Sequence, residues 1–127
     1  MVATTPNVDA VVASVQRLRV HAIVAEVDLH RAIARQLAAD GIEASHEVVL
    51  GPRCRIDFLT VDGVGIEVKR GRTWGAKVRA QVGRYLAFDR VRALVLVTEQ
   101  AVHGRFTDVW SKPFRVVSTT KQWGIAT

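Results

Sequence analysis

Five consecutive apolar residues, Ala93-Leu94-Val95-Leu96-Val97, constrain this chain more than any other stretch. A strand with one face in water alternates apolar and polar side chains. A run without alternation is expected of a strand buried on both faces, and that requires helices above and below its sheet. The run is far shorter than the roughly 18–20 residues of a membrane span, and no other apolar stretch approaches that length.

The rest of the sequence supplies the helices and the companion strands. Ala22 to Asp40 carries apolar residues at helical spacing and stops at Gly41, a residue suited to closing a helix. Asn7 to Gln16 places Val8, Val11, Val12 and Val15 on one side, with Asn7 as the cap. Strands are predicted at Glu47–Leu50, Arg55–Thr60 and Val64–Arg70, punctuated by Gly51-Pro52 and Asp62-Gly63. A second long helix is predicted from Trp74 to Asp89, with Val78, Val82, Tyr85, Leu86 and Phe88 as its apolar positions. After a loop or short helix near Thr107–Trp110, Phe114–Ser118 reads as the last strand. A meander of strands followed by a helical crossover predicts an α/β fold with a central mixed sheet flanked by helices. With 127 residues, no repeat and no linker, the chain reads as one domain. Its αβββαβ core spans about residues 22–98, with an N-terminal helix within 7–20 and a C-terminal strand region within 104–127.

Charge says what such a domain meets. The net charge is +6 and the isoelectric point about 10.4. Such a surface attracts polyanions, although a solubilising excess of arginine gives the same total. The distribution is uneven: Lys69, Arg70, Arg72, Lys77, Arg79, Arg84, Arg90 and Arg92 fall in one stretch opposed only by Asp89. Cys54 is the only cysteine, which excludes an internal disulfide and suits a reducing cytoplasm. Between Arg53 and Arg55 it reads as a buried strand residue. The first nine residues lack the basic start of a secretory signal, so a cytoplasmic location is expected.

The basic stretch begins at Glu67-Val68-Lys69. Along a strand Glu67 and Lys69 point one way, and Val64, Ile66 and Val68 the other, into a core. Where Asp57 points depends on the intervening turn. A two-residue Asp62-Gly63 loop would set Asp57 opposite Val68, on the core face. A three-residue Val61-Asp62-Gly63 loop, with Gly63 at positive φ, pairs Thr60 with Val64 and sets Asp57 opposite Glu67. The three-residue form is the one predicted. Adjacent carboxylates repel and are costly to desolvate unless a cation lies between them. Asp57 and Glu67 are therefore expected to bind Mg²⁺, with Mn²⁺ substituting, while Lys69 orients water or stabilises charge at a phosphodiester. A plain cross-strand ion pair with Lys69 on a solvated face is the competing arrangement.

Other residues extend the pattern. Glu26 shares a helix face with Ala22, Leu29, Ile33 and Leu37 and needs a partner there, either a shared metal or the free N–H groups of a first turn. His30, one turn on, suits a helix-surface position, or a hydrogen bond to Glu26 at the edge of the site. Lys77, Gln81 and Tyr85 share one flank of the second helix. Gln81 could meet a phosphate or a water there, and Tyr85 could stack on a base or anchor the helix. Trp74 suits a helix-start staple or a nucleic-acid contact, and Trp110 and Trp123 read as structural. His21, His46 and His103 form no spaced metal pattern, and a single cysteine disfavours zinc.

Taken together, Glu26, Asp57, Glu67-Val68-Lys69 and Gln81-x-x-x-Tyr85 resemble the PD-(D/E)xK nuclease superfamily, in its RecB-like branch with a Gln-x-x-x-Tyr element, over roughly residues 22–98. Ile56 stands where the family's name has proline. The resemblance implies a metal site from Asp57, Glu67, the Val68 backbone carbonyl and Glu26. It also implies catalytic roles for Asp57, Glu67, Lys69, Gln81 and Tyr85. Arg70, Arg72, Lys77, Arg79 and Arg84 are the expected nucleic-acid contacts. The expected activity is Mg²⁺-dependent, endonucleolytic hydrolysis of DNA away from membranes, for which a homodimer is a plausible assembly. The alternatives are a non-catalytic nucleic-acid-binding module on a nuclease fold and an RNA-directed nuclease.

Overall fold

The computed structural model describes residues 5–18, 25–70, 75–98 and 110–119. Ala22, Arg72, Trp74, His21, His103 and Trp123 lie outside the described residues, as does most of the expected Thr107–Trp110 segment. The elements run α1 (Val8–Gln16), α2 (Glu26–Ala39), β1 (Ala44–Gly51), β2 (Cys54–Thr60), β3 (Val64–Lys69), α3 (Ala76–Leu86), β4 (Ala93–Thr98) and β5 (Phe114–Ser118). The strands form one five-stranded sheet in the order β1-β2-β3-β4-β5. Pairings β1–β2 and β2–β3 are antiparallel, β3–β4 and β4–β5 parallel. This is a single α/β domain with a mixed sheet.

Local chemistry accounts for the element ends. The Asn7 side chain accepts the Ala10 N–H at 3.1 Å and caps α1, while the Asn7 N–H donates to Asp62 Oδ2 at 2.8 Å and ties the helix to the β2–β3 turn. Gly41, at φ +74°, closes α2 in the left-handed region open to glycine. Helix α2 starts at Glu26 because Ala25 is extended, at φ −67° and ψ 150°. Strand β1 starts at Ala44, earlier than expected, because its pairing with β2 runs to Thr60. Helix α3 stops at Leu86 rather than Asp89, since the following turns carry Val91 into the core.

The sheet separates two apolar layers. Val64, Ile66, Val68, Val95 and Val97 pack against α1 and α2, where Val11, Val15, Leu29, Ile33 and Leu37 are buried. Ile56, Leu59, Leu94 and Leu96 pack against α3 through Val78, Val82, Tyr85 and Leu86. Every residue of β4 is buried, as a strand covered on both sides requires.

Strand β2 does something simple alternation does not anticipate. Cys54 and Ile56 pack in the α3 layer, yet Phe58, two residues on, packs in the α1/α2 layer. Residues two apart should share a face. The phase therefore inverts at Asp57. Strand β1 inverts with it, because Val48 packs toward α3 while His46 stacks on Phe58, with ring centroids 4.7 Å apart. Between the paired Val48↔Ile56 and His46↔Phe58 lies Glu47, held at φ +53°. A non-glycine residue in that region marks a locally forced backbone.

Candidate active site

The β2–β3 turn fixes the site. Phe58 pairs with Ile66 and Leu59 with Gly65, so continuing the ladder sets Asp57 beside Glu67. Gly63 adopts φ +94°, and its N–H donates to the Thr60 carbonyl at 3.0 Å, closing the three-residue loop. The expected register is the one found.

Past Phe58 the carboxylates take over from backbone pairing. Glu67 Oε1 accepts the Asp57 N–H at 3.2 Å, and Asp57 Oδ2 accepts the Val68 N–H at 2.8 Å. Each acid is thus held by the opposite strand, and both head groups lie at the seam where the phase of β2 inverts. Glu67 is only 7% exposed. Burial, and next the charge of Asp57, push its carboxyl up to about 7, against the opposing pull of Lys69. Lys69 Nζ stands 3.6 Å from Glu67 Oε2, an ion pair that does not fully compensate the acid.

Helix α3 closes this face. Gln81 Nε2 donates to Tyr85 Oη at 3.0 Å and reaches Glu67 Oε2 at 3.4 Å. Tyr85 donates to the Arg55 carbonyl at 3.0 Å, anchoring the helix to β2. Burial, then the Glu67 charge, raises the phenol well above its usual range, so it remains a neutral donor. Tyr85 is a buried anchor, and Gln81 connects it to Glu67. Beside them a cavity of about 420 Å³ is lined by Lys69, Lys77, Gln81 and Arg84. Arg79 is exposed on the same helix and Arg70 is half-buried at the end of β3.

On the other side of the sheet stands a residue the sequence understated. His30 is buried at 8% exposure, not on the helix surface. Its Nδ1 lies 2.8 Å from His46 Nε2. Its Nε2 is buried without a hydrogen-bond partner, 3.9 Å from both Asp57 Oδ2 and Glu26 Oε1. The spacing of His30 to Ile33 and Leu37, three and seven residues, carried that signal. Nothing local pointed to His46, whose ring reaches His30 only once β1 is laid against α2.

Two expectations need correction. Glu26 is not centred on the buried stripe: α2 begins there, its side chain is 68% exposed, and Leu29 is the first buried position of the helix. The basic stretch is also divided. Arg90 donates to the Val49 carbonyl of β1 and Arg92 to the Asp62 carbonyl at the β2–β3 turn, while Lys69, Lys77 and Arg84 line the cavity at the site. Cys54 is buried, and Trp110 packs against Phe114 and beside Gly83, as structural residues do.

Among the described residues no three or more His, Cys, Asp or Glu side chains are grouped so as to hold a metal ion. The donors present nevertheless suit a divalent cation. Two carboxylates meet with incomplete compensation, and beside one of them a buried imidazole nitrogen lacks a partner. No helix among the described residues is long and apolar enough to cross a membrane. Comparison of the chain with protein-family models, with curated proteins and with solved structures finds no match.

Proposed function

We propose that this domain is a divalent-metal-dependent deoxyribonuclease that hydrolyses phosphodiester bonds, with the cation held by Asp57 and Glu67. The observation that carries the reading is the juxtaposition of those two acids across β2 and β3, with Lys69 Nζ 3.6 Å from Glu67. Structural ion pairs are ordinarily exposed and complementary in charge. Here a second acid, not a base, stands closest in the ladder, and burial penalises the charge of Glu67. The likeness to the PD-(D/E)xK nucleases supports the same roles.

A bound Mg²⁺ or Mn²⁺ supplies Lewis acidity at a phosphate oxygen and acidifies its water. Asp57 and Glu67 would hold it, with His30 Nε2 as a nitrogen donor beside Asp57; Glu26, at the mouth, reaches His30 but is largely in solvent. Lys69 places an ammonium next to the acids, where it stabilises negative charge on the phosphoryl oxygens or gives up a proton to the departing one. Gln81 restrains Glu67 and offers an amide to a phosphate or water. Tyr85 keeps α3 seated on β2. Lys77 and Arg84, lining the adjoining cavity with Lys69, bind the flanking phosphates without reading sequence. Arg70 and Arg79 extend this contact.

The test is cleavage of supercoiled plasmid in Mg²⁺. Activity by the native protein that disappears in Glu67→Ala and Lys69→Ala is the expected result. A second reading, a DNA-binding module without catalysis, draws on the lack of a metal-holding group of three acids, histidines or cysteines among the described residues. Binding that persists in EDTA, with no cleavage in Mg²⁺ or Mn²⁺, would select it. Parallel assays on RNA decide the nucleic acid.

A further inference from the structure

The contact between His30 and His46 is unlike the other polar contacts around the site. One histidine is buried and the other exposed, and they meet nitrogen to nitrogen at 2.8 Å. His46 leans on Phe58 at an interplanar angle of 27°, and His30 meets His46 edge-on at 73°. Phe58 is buried at the point where β2 inverts, so the rings sit in a fixed wedge between α2 and the β1–β2 ribbon.

Such a bond has two senses. If His46 donates, neutral His30 must carry its proton on Nε2. That N–H would then be buried with its nearest acceptors, Glu26 Oε1 and Asp57 Oδ2, at 3.9 Å, beyond hydrogen-bond reach. If His30 donates through Nδ1–H, its Nε2 presents a lone pair toward Asp57. Exposed His46 can then offer its own Nδ1–H to water without penalty. Without a cation neither sense gives the orphaned nitrogen a partner; with one held at Asp57, only the second sense lets Nε2 bind it. Groups one step removed from a cation commonly fix the tautomer and ring angle of an imidazole in this way.

We infer that His46 is a positioning residue, accepting the Nδ1–H of His30 so that the Nε2 lone pair of His30 faces Asp57. The inference rests on the nuclease reading, because it supplies a use for that lone pair. It differs from a packing role, which a phenyl ring at position 46 would fill equally well.

The experiment compares the native protein with His46→Phe, which keeps the stack, His46→Gln, which restores an acceptor, and His30→Ala. Mn²⁺ uptake is measured by titration calorimetry and melting temperature by circular dichroism. The protonated nitrogen of His30 is read from long-range proton–nitrogen spectra at about pH 8 with Mg²⁺ present. The expected result has His30 protonated at Nδ1 in the native protein. His46→Phe should lower Mn²⁺ affinity about tenfold or more, the usual cost of losing such a partner, with the melting temperature nearly unchanged. His46→Gln should recover most of the loss. Native His30 protonated at Nε2, or His46→Phe binding Mn²⁺ as well as native, overturns the assignment. If the native protein takes up no Mn²⁺, the nuclease reading fails separately, and the nitrogen spectrum alone upholds or overturns the role of His46.

Discussion

The two ends of the β2–β3 hairpin hold their acids in opposite ways. At the turn, Asp62 is answered within the protein: the Thr60 hydroxyl and the Asn7 N–H donate to its oxygens, and the Thr60 hydroxyl in turn accepts the Val64 N–H at 2.8 Å. Burial alone would raise its carboxyl, but those donors, with Arg92 nearby, bring it below the usual carboxylate value. At the open end Glu67 has three long contacts, with the Asp57 N–H at 3.2 Å, Gln81 at 3.4 Å and Lys69 at 3.6 Å, and a like charge beside it, and its carboxyl rises to about 7. A closed network stabilises a fold. An acid left partly uncompensated is fold stability given up, and such groups concentrate where function requires them.

The sharpest break of this comparison is catalytic. On the proposed nuclease reading, Lys69→Met should reduce Mg²⁺-dependent plasmid cleavage about 100-fold or more, the scale seen when one preorganised charge-stabilising group is lost. Thr60→Ala, at the turn, should leave the turnover of the folded protein unchanged. Equal losses in both would mean that the ends do not differ in role.

Next in size is Gly63→Ala. Its φ of +94° disfavours a side chain, and the added carbon would meet Arg92 side-chain carbons at 2.8 Å and the Arg90 carbonyl at 3.1 Å. A loss of about 2–3 kcal/mol in urea unfolding is expected, combining backbone strain with displacement of Arg92. Gly65→Ala should be comparable, because its new carbon would come within 2.5 Å of Ile56 Cδ1.

Glu67→Gln should act in the reverse direction, stabilising the metal-free protein by about 2 kcal/mol at pH 8 while abolishing cleavage. The sign follows from the raised carboxyl. Below about 4.5 the acid is protonated folded or unfolded and contributes nothing. Between there and about 7 the unfolded chain ionises first, so stability falls as pH rises, and the penalty is complete above 7. Urea midpoints across this range should therefore decline in the native protein and stay flatter in the Gln variant. Asp62 supplies the smallest effect and the opposite slope: its lowered carboxyl adds stability above the unfolded value of 3.8 and loses it as pH falls. Because this acid is only partly buried and its lowering is modest, Asp62→Asn should shift stability by only about 0.5 kcal/mol at pH 7.

What could be read in advance divides along physical lines. The hairpin register was legible because a turn of three residues ending in glycine dictates it, and with it the meeting of Asp57 and Glu67. The buried strand at Ala93 was legible from unbroken apolarity. The start of α2 was not, since Ala25 makes no side-chain cap and leaves no mark in the sequence. That is why helical spacing alone puts Glu26 on the buried face. The histidine pair was hidden for another reason: it forms between a helix and a strand edge sixteen positions apart, and no local period encodes their approach.

The inversion of β2 at Asp57 has a mechanical consequence. One short strand presents Ile56 to one helical layer and Phe58 to the other, so it works as a rivet through the whole thickness of the domain. Neither layer can peel from the sheet at that point without disturbing the other. The amides of β2 around Asp57 should then be among the slowest in the molecule to exchange with solvent deuterium, opening only when both layers let go at once.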